Sequence, residues 1–274
     1  MFIHSQFEIV ENVLLARDTY RLRLHAPDVA RSIRPGQFVM LRLPGTSDPL
    51  LGRPFALYDV AFDNRQQPAF LDIVYLVVGK LTGALAALRP GDSLIVWGPL
   101  GNGFPAIACP HLALVAGGIG QTPFLACIKA VLGKQSYGGL QSKQTVDKVT
   151  LCYGVRRAEF LAGVDDFRAA GAEVFVATDD GSAGFHGFVT DLVEQLPRPD
   201  RLIGCGPEPM MHRLALLAKE WAIPCHLSLE SPMACGAGIC FSCVTKVRTE
   251  SGWDFRRVCV DGPVFDAAAL VFED

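Results

Sequence analysis

Leu112-Ala113-Leu114-Val115-Ala116-Gly117-Gly118-Ile119-Gly120-Gln121-Thr122-Pro123 decides how this chain is read. Its unbroken apolar opening fits a parallel strand buried on both faces. The strand runs straight into a glycine-rich exit, where Thr122 can cap a helix and Pro123 can be its first residue. Small residues at such an exit let a phosphate-bearing ligand reach the backbone, although the G-x-G-x-x-G spacing is absent.

Downstream the alternation continues. Strands are expected over residues 149–153, 173–177 and 201–204, and helices over 158–169, 189–195 and 208–221. That pattern makes a parallel sheet with covering helices, whose ligands sit beyond the carboxyl ends of the strands. Residues 117–122, Thr178-Asp179-Asp180-Gly181-Ser182 and Gly204-Cys205-Gly206-Pro207-Glu208-Pro209-Met210 all fall on that edge, which predicts a nucleotide site. Cys205 is expected near the reacting ring. Arg156 and Arg157 follow a strand where an adenosine ribose would lie and could favour a 2′-phosphate, so NAD and NADP both stay open. His186, His212 and Arg213 read as solvated side chains, and residues 134–147, rich in Gln, Ser, Gly and Lys, as a surface loop.

Upstream, Tyr20-Arg21-Leu22-Arg23-Leu24-His25 alternates polar with apolar, as a strand with one face on a core requires. Further short strands are expected over 36–43, 55–60, 71–78 and 93–97, separated by Pro and Gly, and together they suggest a small barrel. Gly52-Arg53-Pro54-Phe55-Ala56-Leu57-Tyr58 offers a cation and two aromatics, suited to a phosphate and a flat ring. Val77-Val78-Gly79-Lys80-Leu81-Thr82 ends a strand in a turn before a helical pattern, a fit for a pyrophosphate. Each also suits a plainer role, a structural arginine and an ordinary strand-to-helix turn.

Near the other end stands Cys235-Gly236-Ala237-Gly238-Ile239-Cys240-Phe241-Ser242-Cys243, with fifteen residues between Cys243 and Cys259. C-x4-C-x2-C followed by a distant fourth cysteine is the plant-type arrangement for a 2Fe-2S cluster. A four-cysteine zinc site prefers paired C-x2-C knuckles and fits less well. Disulfides fit least, because Cys109, Cys127, Cys152, Cys205 and Cys225 lie scattered among apolar residues like buried thiols.

The 274 residues carry 25 basic against 28 acidic side chains, a net charge of −3, and no basic run that would suggest nucleic acid. No apolar run approaches the roughly 18 residues of a membrane span. With no signal-peptide pattern and with free cysteines, a reducing cytoplasm is the expected location.

Arg53-Pro54-Phe55-Ala56, Gly98-Pro99-Leu100-Gly101-Asn102-Gly103-Phe104, Gly117 to Gly120, the Thr178 stretch, Cys205-Gly206-Pro207 and the cysteine block occur in the order seen in the ferredoxin reductase superfamily. Within it the chain resembles the iron-sulfur electron-transfer subunits of class 1B dihydroorotate dehydrogenases. The resemblance covers nearly the whole length, and the short C-terminal cluster unit ending in Arg257 to Phe265 is its most specific part. It implies a multi-domain β plus α/β fold: an FAD-binding Greek-key β-barrel (1–103), a parallel-sheet NAD-binding α/β domain (104–223) and a small 2Fe-2S domain (224–274). It also implies that Arg53 contacts the FAD phosphates, that Pro54, Phe55, Ala56 and Leu57 line the flavin ring, and that Val77, Val78, Gly79 and Thr82 hold the rest. Gly118, Gly120, Cys205, Gly206 and Pro207 would place the nicotinamide of NAD(H), and Cys235, Cys240, Cys243 and Cys259 would bind the cluster. The family usually has Ser or Thr where Ala56 stands, and G-x-G-T where Gly79-Lys80-Leu81-Thr82 stands.

The resemblance makes the chain an NAD-linked oxidoreductase subunit whose FMN-containing partner oxidises dihydroorotate for pyrimidine biosynthesis, in a heterotetramer. Its chemistry would be carried by FAD rather than by any catalytic side chain. The same module serving a hydrogenase, a sulfide dehydrogenase or an electron-bifurcating oxidoreductase is the alternative, and a zinc-bearing binding module a more distant one. An apolar patch around Phe241 and Met233 is the expected docking face.

Overall fold

The fold is a computed structural model that describes residues 2–141 and 143–272. The first part contains β1 (Ile3–Ala16), β2 (Thr19–His25), α1 (Pro27–Ser32), β3 (Phe38–Arg42), β4 (Arg53–Ala56), β5 (Asp59–Phe62), β6 (Pro68–Leu76), α2 (Lys80–Ala87) and β7 (Ser93–Leu100). Its strands form one antiparallel sheet in the order β4-β3-β7-β1-β2-β6-β5. The curled sheet closes over Ile9, Leu22, Leu24, Leu41, Leu71 and Ile73, plugged by Val29 of α1 and by Ile33, which follows it. The edge strands β4 and β5 are not hydrogen-bonded to each other, so the barrel is open along one side.

Two expected elements differ here. Residues 55–60 are not one strand, because the chain changes partners at Leu57: Leu57 N donates to Gln37 O, and Tyr58 N to Asp72 O on the far side. The long β1 was not foreseen from the pattern. Register shifts between Ile9 and Glu11 and between Leu14 and Ala16 break its alternation, since each bulge swaps the faces.

The second part runs through β8 (Cys109–Gly117), α3 (Phe124–Val131), β9 (Val146–Val155), α4 (Val164–Ala169), β10 (Glu173–Thr178), β11 (Phe185–His186), α5 (Val189–Gln195), β12 (Arg201–Cys205), α6 (Glu208–Trp221) and β13 (Cys225–Ser228). The sheet order is β11-β10-β9-β8-β12-β13, all parallel, so β8 is central and buried as its composition requires. Thr122 is not a helix cap. A 3-10 turn over Gly118–Gln121 intervenes, and α3 starts at Phe124. The helix expected over 158–169 is broken before α4, where Gly163 adopts the left-handed conformation (φ 70°).

The remaining strands are β14 (Val244–Thr249), β15 (Gly252–Arg257) and β16 (Val264–Asp266). β16 pairs antiparallel with β13, placing both ends of the cysteine segment in the central sheet, while β14 and β15 form a separate hairpin. Asn102 fixes this return: its side chain accepts from Val264 N and donates to Val264 O at 2.8 Å. One apolar cluster joins Phe38, Met40 and Leu100 of the barrel to Leu202 and Leu214 of the α/β part and to Met233, Cys243 and Cys259.

Residues 134–147 are less solvated than expected. Tyr137 is buried against the barrel and donates to Asp59 at 2.7 Å. Ser142 lies outside the described residues. No helix among the described residues is long and apolar enough to cross a membrane.

Candidate functional site

The open side of the barrel faces the carboxyl edge of the parallel sheet, and between them lies a cleft of about 470 Å³. Arg53, Pro54, Phe55 and Ala56 of β4 line its barrel wall, and Val78, Gly79 and Thr82 its end. The opposite wall is made by Gly120 and Cys205 at the exits of β8 and β12. Most of the residues singled out in the sequence therefore meet in one place.

Some do not. Leu57 is buried in the barrel core, and Val77 packs against the same core. Gly118 does not line the cleft, and Gly206 and Pro207 face a neighbouring groove that Arg53 and Pro54 share.

At the turn before α2, Val78 N and Gly79 N donate to Thr82 Oγ1 at 2.9 and 3.0 Å. That hydroxyl ties the turn closed and leaves the next N–H groups of the helix as donors for an anion. The Arg53 guanidinium is steadied by the carbonyls of Leu51 and Gly52, at 3.1 and 3.0 Å. Across the cleft, a Cβ on Gly120 would lie 2.2 Å from Cys205 O, so only glycine allows the two strand exits to approach so closely. Burial, and secondarily Glu230, push the Cys205 thiol up to about 12, with Ser228 opposing. Cys205 is thus a neutral, unreactive thiol at neutral pH.

Ser228, Glu230 and Ser231 also line the cleft and were not singled out in the sequence. They leave β13 at the same sheet edge as the other exits, which is the signal that would have found them. Ser231 Oγ is buried without a hydrogen-bond partner, as expected of a group that meets a ligand.

Beside the cleft sits the cysteine loop. Among the described residues, no three His, Cys, Asp or Glu side chains close around a single metal ion. The Cys240 thiol is pulled down to about 6 by Ser242 first and then by Cys235. Burial, followed by contact with Cys243, pushes Cys259 up to about 12. Cys240 thus acts on Cys235, and Cys259 on Cys243 and, more weakly, on Cys235, so the four thiols stand within electrostatic reach of one another.

The backbone suits this use. Gly236 and Gly238 have φ of 69° and 79°, and a Cβ on either would strike Met40 at 2.7 Å or Val260 at 2.5 Å. Ala237 N already points at Cys235 Sγ, 3.3 Å away. Arg257 clamps the loop by donating to Gly238 O at 3.0 Å while lying over the Phe241 ring. The expected patch is corrected in one respect: Met233 is buried, and the exposed apolar residues around the loop are Ile239, Phe241 and Val260.

Residues 230–271 match the family model for the iron-sulfur cluster binding domain of dihydroorotate dehydrogenase B. Over its length the chain is 38% identical to the dihydroorotate dehydrogenase B (NAD(+)) electron transfer subunit of Geobacillus thermodenitrificans, covering 99% of this chain and all of the relative. The chain belongs to this family. A second member, from Caldanaerobacter subterraneus subsp. tengcongensis, is 34% identical over 96% of this chain and 97% of its own.

Among solved structures, a chain from the study of the bifurcating NADH-dependent reduced ferredoxin-NADP oxidoreductase superposes with a TM-score of 0.81 at 30% identity, covering 97% of this chain and 90% of that one. Phthalate dioxygenase reductase, at 18% identity and a TM-score of 0.61 over 94% of each chain, shares the fold. As a dihydroorotate dehydrogenase B electron-transfer subunit by family, the chain has the reductase architecture with the cysteine loop in the expected place.

Arg156 and Arg157 lie exposed beyond β9. The Arg157 guanidinium faces Asp180 at 3.9 Å and Glu159 at 4.0 Å, and the Asp180 carboxyl is held below its usual range by the Ser182 hydroxyl and N–H. His186 is exposed, His212 stacks on Phe272 at 4.8 Å, and Arg213 pairs with Glu194 at 2.6 Å.

Proposed function

We propose that this chain relays electrons between NAD(H) and a partner subunit that oxidises dihydroorotate to orotate, with FAD in the cleft and a 2Fe-2S cluster on Cys235, Cys240, Cys243 and Cys259. The observation that carries the proposal is the adjacency of the two seats: Phe38 of β3 lines the cleft with Arg53 to Ala56, and Met40 of the same strand meets Gly236 of the cysteine loop.

Nicotinamide chemistry moves electrons in pairs and iron-sulfur chemistry moves them singly, and a bound flavin supplies the conversion between the two. The residues of the chain bind and orient. Thr82 shapes the anion-binding turn, and Arg53 adds positive charge at the cleft mouth. Ala56 offers no hydroxyl, so polar contact at that wall falls to backbone and to Ser228, Glu230 and Ser231 opposite. Gly120 and Cys205 form the floor on which a nicotinamide would be set.

The partner carries the substrate-oxidising site, as the relatives' designation as electron transfer subunits supports. An FMN-containing catalytic subunit docked on the surface around Ile239, Phe241 and Val260, in a cytoplasmic heterotetramer, completes the reading. Co-expression of this chain with the dihydroorotate-oxidising subunit from the same genome tests it. Orotate formation coupled to NAD+ reduction only when both chains are present supports the proposal. NAD+ reduction without dependence on dihydroorotate would assign the module to another partner.

A further inference from the structure

We propose that Trp97 is a positioning residue that latches the cysteine loop to the barrel beside the flavin cleft. Its indole N–H donates to the backbone carbonyl of Cys235, 2.9 Å away and 138 positions later in the sequence. The other edge of the same ring packs against Gly52, the residue before Arg53: a Cβ there would come within 2.4 Å of Trp97 Cη2. One side chain thus touches both the cysteine loop and the stretch that leads into Arg53.

Its surroundings hold the ring in place. Trp97 lies opposite Met40 in the β3 and β7 pairing and opposite His4 in the β1 and β7 pairing, and the His4 ring meets it edge-on at 5.9 Å. Met40 and Leu100, on the same wall, are the atoms that a Cβ on Gly236 would strike, at 2.7 and 3.0 Å. Cys235 is therefore held through its carbonyl by Trp97, and the next residue is seated on the wall beside it. A hydrogen bond to the peptide of a ligand residue fixes the direction of that ligand's side chain. Loss of the N–H frees the first cysteine while the ring still fills its space.

The inference rests on the reading that the four cysteines hold a two-iron cluster. The test uses the full chain reconstituted with iron and sulfide, as wild type, as Trp97→Phe, and with benzothienylalanine at position 97, which keeps the indole shape and lacks only the N–H. Trp253→Phe, an exposed hairpin residue, is the control. Iron release to a chelator and the electron paramagnetic resonance signal of the reduced cluster are recorded.

Release about fivefold faster, the factor expected for one hydrogen bond, with a changed resonance signal in both Trp97 variants and not in the control, supports the latch. Identical release and signal in the benzothienylalanine protein overturns it, whatever the fate of Trp97→Phe. Iron-free wild type would overturn the cluster reading and the latch with it.

Discussion

Tyr58 of the barrel donates its phenol to Asp166 Oδ2 on α4 at 2.7 Å, joining the barrel to the parallel-sheet part. Gly163 makes room for this contact, since a Cβ there would lie 2.4 Å from the Tyr58 hydroxyl. Tyr58→Phe leaves Asp166 without this donor and is expected to lower unfolding stability by about 1.5–2 kcal/mol, as for other hydrogen bonds to a charged acceptor. Urea denaturation monitored by fluorescence checks it.

The same residue gives a pH dependence. Burial first, and then Asp166, raise the Tyr58 phenol well above its ordinary value. The folded chain keeps its proton where the unfolded chain, with a tyrosine near pH 10, loses it. Its contribution is complete below about pH 10 and falls as the pH climbs further. Tyr75, Tyr137 and Tyr153 are raised as well, so Tyr58→Phe should flatten the alkaline slope of stability by one proton without abolishing it. Unfolding curves between pH 9 and 11 measure that slope.

Thr82→Val removes the acceptor for Val78 N and Gly79 N while keeping the side chain's volume. Two donors are orphaned at the turn, and the affinity of the deflavinated chain for FAD should fall by about ten- to a hundredfold, at about 1–3 kcal/mol for unsatisfied groups. Thr82→Ser, which keeps the hydroxyl, should bind within a few-fold of wild type. Fluorescence titration with FAD separates the two variants.

Cysteine substitutions should divide cleanly. Serine at Cys235, Cys240, Cys243 or Cys259 should strip most of the iron, whereas alanine at Cys127 or Cys152, buried on α3 and β9, should leave iron content unchanged. An iron assay on purified protein decides it, and iron loss in the Cys127 or Cys152 variants would contradict the assignment.

Phe241→Glu places a charge in the exposed apolar surface around the cysteine loop. Electron delivery to the dihydroorotate-oxidising partner should drop at least tenfold while NADH oxidation by an artificial dye persists. Loss of both activities together would count against this surface as the docking face.

Much of the architecture was legible because burial leaves periodic traces. The apolar run of β8, the exact extents of α5 and α6, and the cysteine spacing were readable from local composition. Other features depended on what lies opposite. β1 escaped because two bulges disrupt its alternation, and the break at Leu57 exists only because Gln37 and Asp72 pull adjacent residues to different sheet edges. Thr122 looked like a cap from its neighbours, yet the exit of β8 is tightened into a 3-10 turn packed on Cys205.

The candidate site shows the same division. Cysteines and glycines announce themselves by spacing. Ser228 and Glu230 reach the cleft, and Trp97 the cysteine loop, only when distant strands come together, and Met233, apolar and next to the cysteine block, turns inward because the shared core takes it.

The central claim is that one chain seats a flavin beside a two-iron cluster and fills both from NADH. Anaerobic titration of the purified chain with NADH, after metal and flavin analysis, tests it most directly. About two irons and one FAD per chain, with flavin and iron-sulfur absorbance both bleaching as NADH is added, is the predicted result. Zinc in place of iron, or flavin bleaching with the iron-sulfur absorbance untouched, would contradict it.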